Sequence, residues 1–268
     1  MSLAYLSFGA GRQSTALAIC SALGLHGVPK ADVAIFADTQ GEIAATYAHV
    51  ERMREWLGAH GLPLDVVTAG SLEKDVLEGV GQSHASIPAF IRNADGSRGI
   101  MRRFCTYDYK LTPILKRVRE RCGLKPGQKA KGVLTVRAML GISYDEAHRM
   151  KDAMEPWITN TYPLVDARLT VHDCKRIIAD AGLPEPPRSS CYFCPYHSQK
   201  YWLGLKRDHP ADFAKAEAFD ARIRTTQPGL VGEAFLHSAL VPLGEAVVDP
   251  TQTQGELFGE ECEGVCGV

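Results

Sequence analysis

The sequence has no excess charge of either sign and no long apolar run. Its 30 Lys and Arg residues against 31 Asp and Glu residues give a net charge of -1 at pH 7, so overall charge does not indicate a nucleic-acid or membrane-surface protein. No stretch approaches the roughly 18 continuous apolar residues of a membrane span. The first residues also lack the basic start and apolar region of a secretory signal. We therefore expect a cytoplasmic protein without membrane contact.

The cysteines are few for a disulfide scaffold, at eight in 268 residues, and they are unevenly grouped. Cys191 and Cys194 form a C-x-x-C, and Cys262 and Cys266 lie together at the end of the sequence. In a reducing compartment such clusters are more typical of metal or redox chemistry than of structural bridges. The simpler interpretation of the C-x-x-C is a redox dithiol or two buried thiols.

Strand and helix patterns alternate over the first two thirds of the chain. Apolar runs predict strands at 3–8, 32–37, 64–68, 131–136 and 157–164, and helical spacing predicts helices at 42–60 and 108–122. The segment RNADGSRG between them reads as a loop. Repeated strand–helix units predict an α/β fold with a doubly wound, mainly parallel sheet, which binds ligands at the carboxyl ends of its strands.

The last third has a different pattern. A proline-rich loop carries the C-x-x-C, and helices are predicted at 199–207 and 210–224. The final residues are polar and glycine-rich. We therefore predict a nucleotide-binding α/β domain at 1–165, a helical extension with the C-x-x-C metal element at 166–248, and a mobile cysteine-containing tail at 249–268.

A glycine-containing turn, FGAGRQST, follows the first predicted strand and opens a helix. Gly9 and Gly11 allow the backbone to approach an anion, and the helix start offers free N–H groups. Ser14 and Thr15 can cap the helix or bond a phosphate oxygen. The spacing matches neither the P-loop nor the dinucleotide fingerprint. A tight turn without a ligand remains the alternative.

Further polar candidates follow the second strand and open the basic middle helix. Asp38 stands where a doubly wound sheet meets a nucleoside, although it could equally cap the next helix. Arg102, Arg103 and Lys110 are candidates for a phosphate or sulfate. The remaining basic residues of that helix are interpreted as a solvated face: Lys116, Arg117, Arg119 and Arg121.

The turn resembles the pyrophosphate loop S-G-G-x-D-S of the adenine nucleotide α-hydrolase (PP-loop) superfamily. Gly9, Ala10 and Gly11 stand at Ser-Gly-Gly, Gln13 stands at the Asp, and Ser14 is retained. The phosphosulfate reductase branch also lacks that Asp and is the better match. The resemblance implies that ten residues contact the nucleotide. They are Ser7, Gly9, Gly11, Gln13, Ser14, Thr15, Asp38, Arg102, Arg103 and Lys110.

A second resemblance is carried by Cys105-x4-Lys110-x2-Pro113, which is similar to the C-C-x-x-x-K-x-x-P element of adenosine phosphosulfate reductases. Those enzymes hold a four-iron cluster with both cysteines and a distant C-x-x-C. Here Thr106 replaces the second cysteine. The resemblance therefore implies a [4Fe–4S] cluster held by Cys105, Cys191 and Cys194 with one open iron. Zinc with a fourth ligand such as His197 is the alternative.

The tail and one internal segment add to the resemblance. Phosphosulfate reductases end in E-C-G, whose cysteine attacks the substrate sulfur, which makes Cys266 the candidate nucleophile and Cys262 its neighbour in catalysis. An additional ligand pair for the metal and a disordered tail are the alternatives. The segment GISYDEAHRMK resembles an element near the nucleotide in related proteins. Its polar candidates are Asp145, Glu146 and Arg149.

Together these motifs resemble the phosphoadenosine/adenosine phosphosulfate reductase family. The resemblance implies an oxidoreductase or sulfurtransferase that acts on an adenine nucleotide, either ATP or a phosphosulfate, with a thioredoxin-like reductant as its partner. One alternative is an ATP-dependent, cluster-dependent enzyme that thiolates or desulfurates a base of an RNA or DNA acceptor. The other is a zinc-stabilised nucleotide-binding module without redox activity.

Overall fold

The computed structural model describes residues 2–79, 87–226 and 230–247. The strands of the described part are β1 (Ser2–Ser7), β2 (Val33–Asp38), β3 (Leu64–Thr68), β4 (Phe90–Asn93), β5 (Arg98–Ile100), β6 (Thr135–Leu140), β7 (Ile158–Thr161) and β8 (Gly232–Phe235). Its helices are α1 (Arg12–Leu23), α2 (Ala44–Ala59), α3 (Leu72–Glu78), α4 (Thr112–Arg121), α5 (Pro163–Asp166), α6 (Val171–Asp180), α7 (Gln199–Asp208), α8 (Pro210–Thr226) and α9 (Leu243–Ala246).

The main sheet has five parallel strands in the order β3-β2-β1-β6-β7. Strands β2 and β3 are added on one side of β1, and strands β6 and β7 are later added on its other side. This reversal produces a crevice at the carboxyl ends of β1 and β6, the usual ligand position in such sheets. The predicted α/β fold with a mainly parallel sheet is confirmed.

Alternate residues of the strands supply two apolar layers, one on each face of the sheet. Leu6 and Phe36 pack with residues of α1, α2 and α6. Tyr5 and Ile35 point to the opposite face, where they join residues of α4 such as Val118. Strands buried on both faces explain the nearly continuous apolar runs in the sequence. Within the described residues, no helix is long and apolar enough to cross a membrane.

A second, smaller sheet is antiparallel, with the order β5-β4-β8. The segment RNADGSRG, predicted as a loop, instead contributes to both strands of the hairpin β4–β5. Asn93 pairs with Ser97 across the turn, and Asp95 accepts a hydrogen bond from the Ser97 backbone N–H. The loop prediction was therefore right only for the turn residues. This sheet, α7 and α8 share a third apolar cluster, which also contains Cys191 and Phe193.

Three other elements differ from their predicted bounds. The strand predicted at 157–164 is shorter, at Ile158–Thr161, because Pro163 begins α5. The helix predicted from residue 108 begins as a π-helical turn, Tyr107–Leu111, before α4. Pro113 has no N–H to donate to the carbonyl four residues earlier, which favours the wider turn. The strand predicted at 131–136 is found at Thr135–Leu140. Gly132, with φ of 80°, turns the chain before the residues that pair with β1.

Candidate functional site

The turn between β1 and α1 is shaped by one residue of left-handed conformation and one serine. Ala10 has φ of 59°. The Ser14 hydroxyl lies 3.2 Å from the Gly11 nitrogen, which donates to it, and 3.1 Å from the Gly11 carbonyl oxygen. The Thr15 N–H donates the first helical bond to the same carbonyl. Ser14 therefore holds the turn as a cap, at the position where a phosphate would meet the helix start.

The chain after β6 packs closely against this turn. A Cβ atom on Gly141 would lie 2.8 Å from the Ser14 nitrogen and 2.9 Å from its Cα. Real Cβ atoms do not approach backbone so closely, so only glycine fits without a shift. The two strand ends that flank the crevice are thus in direct backbone contact.

Gln13 joins the same two strand ends through its side chain. Its Nε2 donates to the Ser143 hydroxyl at 2.8 Å and to Glu146 Oε2 at 2.9 Å. Arg149 donates to the same Glu146 oxygen at 2.6 Å. Gln13 is 2% exposed, and its Oε1 has no hydrogen-bond partner in the described part of the chain. The structure therefore places Glu146 and Arg149 beside the turn. Gln13 acts there as an uncharged hydrogen-bond donor, which an aspartate could not do because its carboxylate has no N–H.

Thr15 faces away from solvent and meets a histidine of α2. Its hydroxyl lies 2.9 Å from His49 Nε2, and both residues are buried. Burial, with the nearby Arg52 as a second cause, lowers the pKa of His49 to about 4. The imidazole is therefore neutral near pH 7. It holds the first turn of α1 against α2.

Asp38 ends β2 and is tied to the turn that follows it. Its Oδ1 accepts from the Gln40 N–H at 2.7 Å and from the Tyr47 hydroxyl at 2.9 Å. Burial, with Asp38 as a second cause, raises the pKa of Tyr47. The N-cap of α2 is Ile43, so the alternative interpretation of Asp38 as that helix's cap is wrong. Asp38 lies half-buried at the carboxyl edge of the sheet.

The C-x-x-C segment lies on the loop that follows β2. Cys191 Sγ is 3.1 Å from the Thr39 hydroxyl, and the Tyr192 N–H donates to the Gly41 carbonyl at 2.8 Å. A Cβ on Gly41 would lie 2.6 Å from the Phe193 ring, so glycine permits this close approach. Although Thr39 and Cys191 are 152 residues apart in the sequence, they meet at the carboxyl edge of the parallel sheet.

The three predicted cluster cysteines border one apolar region, which we call the cysteine pocket: Cys105, Cys191 and Cys194 with Thr39 and Glu42. Cys191 belongs to the apolar cluster beneath α7, and Cys105 and Cys194 pack against it. Burial raises the pKa of the Cys191 thiol, and both Glu42 and Cys105 raise it further. Lys110 and the Thr39 hydrogen bond act in the opposite direction.

Lys110 connects the cysteine pocket with the β1 edge of the crevice. Its Nζ lies 3.8 Å from Glu42 Oε1, and the Glu42 side chain is 1% exposed. Lys110 also lines a small cavity of about 20 Å³ together with Ser7 and Gly9. One ammonium group thus lies beside both the predicted phosphate turn and the predicted cluster site.

The two other basic candidates lie at the entrance to the π-helical turn. The Arg103 guanidinium is 5.3 Å from the centre of the Tyr196 ring, two residues after Cys194. This cation–π contact brings Arg103 to the C-x-x-C segment. Arg102 is exposed, whereas Arg103 is half-buried.

The donor chemistry of the cysteine pocket suits a soft metal centre. Three thiol groups of one apolar region are the ligand type that iron–sulfur clusters and zinc take. In the described ranges no three His, Cys, Asp or Glu side chains converge on one ion position. His197, the alternative fourth ligand, has its Nε2 2.8 Å from the Ser190 hydroxyl. Cys262 and Cys266 lie outside the described residues.

Several contacts of the site were not foreseen in the sequence. Ser143 lies in the segment GISYDEAHRMK but was not among its polar candidates. His49 carries no local pattern that marks it, because it acts on a residue 34 positions away. The sequence likewise gives no indication that Tyr47 binds Asp38, although the two residues are only nine positions apart. No protein-family model matches the chain, and a search of curated proteins finds no match either. Function is therefore inferred from the crevice and the cysteine pocket.

Proposed function

We propose that the chain is a phosphosulfate-reductase-like enzyme that performs sulfur chemistry, reduction or sulfur transfer, on an adenine nucleotide. One observation carries the proposal. Cys191 is seated on Thr39 at the end of β2, and Lys110 lies beside both that pocket and Gly9 of the phosphate turn. A nucleotide held at the turn would thus extend its phosphate or sulfate end toward thiol groups.

The polar groups of the crevice divide into two roles in this proposal. Gly9, Gly11 and Ser14 hold phosphate through backbone N–H groups and a hydroxyl at the start of α1. Asp38 accepts a hydrogen bond from the nucleoside at the end of β2. These groups orient the ligand through hydrogen bonds, and none of them has to gain or lose a proton in this role.

The basic groups receive the sulfur end of the ligand. Lys110 contributes a compact charge, whereas Arg102 and Arg103 offer planar donor pairs that match a sulfate or phosphate. The ion pair with buried Glu42 keeps the Lys110 ammonium at the boundary of the two pockets. Arg103 is held near the C-x-x-C segment by Tyr196.

The cysteines supply the chemistry. Cys105, Cys191 and Cys194 would hold a [4Fe–4S] cluster, which supplies a charged, sulfur-binding centre next to the ligand's sulfur. Cys266 is the proposed nucleophile, with Cys262 as its neighbour. Its thiolate would attack the sulfur of a phosphosulfate and displace the nucleoside phosphate. A thioredoxin-like dithiol would then reduce the S-sulfocysteine, which releases sulfite and leaves the dithiol as a disulfide.

Metal analysis of anaerobically purified protein tests the proposal. We expect iron and acid-labile sulfide, together with broad absorbance near about 400 nm. Cys191→Ser should lose them, whereas Cys122→Ser, at the end of α4, should keep them. An adenine nucleotide should raise the melting temperature by mass action. Absence of iron and sulfide would contradict the proposal, and one zinc per chain would select the zinc-stabilised module.

A further inference from the structure

A large groove follows α7 and borders the phosphate turn at Arg12. Its volume is about 710 Å³, which is in the range of roughly 300–1,000 Å³ for ligand sites. It is lined by Arg12 and Arg188, by much of α7 from Lys200 to Arg207, and by His209 beyond the helix end. We call it the α7 groove.

The lining of the α7 groove is basic in a chain whose net charge is -1. Asp208 is the single acidic residue of the lining, against the four basic side chains Arg12, Arg188, Lys200 and Arg207. Lys200 is exposed, and no ion pair of it is found within the described ranges. The attraction for an anion is therefore local and does not follow from overall composition.

Two of the four cations form ion pairs whose carboxylates an anionic ligand can replace. Arg12 pairs with Glu185 and Arg207 with Asp208, at 2.6 and 2.7 Å. Three of the four side chains are at least half exposed, and ion pairs at such positions contribute little to stability. A phosphate oxygen can therefore take the place of either carboxylate without leaving a buried charge behind.

The remaining arginine of the groove lining, Arg188, is held by an aromatic ring. The Arg188 guanidinium lies 5.4 Å from the centre of the Tyr201 ring. Its Nε is buried and has no hydrogen-bond partner among the described residues. A planar donor group held this way is preorganised for an anion, because little side-chain freedom is lost on binding.

The spacing of the cations indicates more than one anionic group in the ligand. Lys200 and Arg207 are seven residues apart, which places them two turns apart on one face of α7, about 10 Å along the axis. A single phosphate cannot reach both. Between them on α7 the lining includes Leu203, which is half-buried and offers an apolar surface to a base.

We propose that the α7 groove binds single-stranded nucleic acid, with phosphates on its basic side chains and a base against Leu203. The inference goes beyond the proposed function, because such binding requires neither a cluster nor an adenine nucleotide. The groove shares Arg12, Pro187 and Arg188 with a small cavity that reaches Gly11 of the phosphate turn. A bound strand would thus lie next to the crevice.

Fluorescence anisotropy with the full chain and a labelled single-stranded oligonucleotide of about 12 nucleotides tests the inference. Lys200→Ala should weaken binding by roughly threefold or more, and it should reduce the slope of log K against log salt by about 0.7. Lys116→Ala is the matched control, since Lys116 is an exposed lysine on α4 that is not among the groove-lining residues. We expect it to leave both quantities unchanged.

Three outcomes would overturn the inference: no binding of the oligonucleotide, equal effects of the two lysine substitutions, or competition by polyglutamate as effective as that by unlabelled strand at equal charge. The last result would indicate a groove for acidic protein. Adenine-nucleotide binding, measured by thermal shift on the same samples, separates the two proposals. A protein that binds the nucleotide but no strand contradicts the groove alone, and the reverse result contradicts the proposed function alone.

Discussion

Replacing Gln13 with aspartate tests what holds the crevice between β1 and β6 together. Gln13 Nε2 donates to Ser143 at 2.8 Å and to Glu146 at 2.9 Å. Aspartate has no N–H, and it adds a negative charge beside the Glu146 carboxylate. A neutral hydrogen bond contributes about 1 kcal/mol and one to a charged group about 2 kcal/mol. We therefore expect Gln13→Asp to lower the free energy of unfolding by about 3 kcal/mol, before any repulsion between the carboxylates.

This loss is large enough to measure by thermal and urea unfolding. For a chain of this size it corresponds to a melting temperature lower by roughly 5 °C. Gln13→Asn is the matched control, because it shortens the side chain by the same amount without adding charge. We expect Gln13→Asn to cost clearly less than Gln13→Asp.

A double-mutant cycle isolates the effect of the charge. In a Glu146→Gln background the added aspartate no longer faces a carboxylate, so Gln13→Asp should cost at least about 1 kcal/mol less than in the wild-type chain. Equal costs of the Asp and Asn variants, or a cycle without coupling, would refute the assignment of Gln13 as a required neutral donor.

Three further substitutions follow from the packing and charges of the site. Gly141→Ala should destabilise the fold by about 2 kcal/mol in urea unfolding, because its Cβ would lie 2.8 Å from backbone, whereas Gly58→Ala, with nothing within 4 Å, should not destabilise it. Lys110→Met should cost about 3 kcal/mol by removing the Lys110 ion pair of Glu42, whose side chain is 1% exposed, and an unchanged melting temperature would argue against that contribution. His49 takes up its proton near pH 6.5 when unfolded and only near a pKa of about 4 when folded, so stability should fall by roughly 3 kcal/mol as pH drops through that interval. His49→Gln should show a shallower decline, and parallel pH curves would contradict it.

Much of the fold could be predicted from the sequence, because buried parallel strands leave continuous apolar runs. The strand predicted at 64–68 has the same bounds in the structure, and the helix predicted at 42–60 is found at Ala44–Ala59. The small antiparallel sheet was missed because its strands are only three or four residues long. Their pairing joins β4 to β8, which is too distant in the sequence for any local pattern to indicate.

The candidate site was predicted less completely than the fold. The glycines at 9 and 11 and the C-x-x-C are visible because their chemistry depends on short spacing. The contact of Cys191 with Thr39 depends on how the chain returns to the edge of the sheet. The groove along α7 is likewise invisible in the composition, since its cations come from three separate segments and are balanced by acidic residues elsewhere.

The central claim is that the crevice and the cysteine pocket act on one ligand. It is tested most directly by incubating anaerobic, dithiothreitol-reduced protein with adenosine 5′-phosphosulfate and measuring nucleotide binding and sulfite release in the same samples. We predict that the wild-type chain binds the nucleotide and releases sulfite, and that Cys191→Ser retains binding but loses release. Binding without release in the wild-type chain, or release that survives Cys191→Ser, would contradict the account.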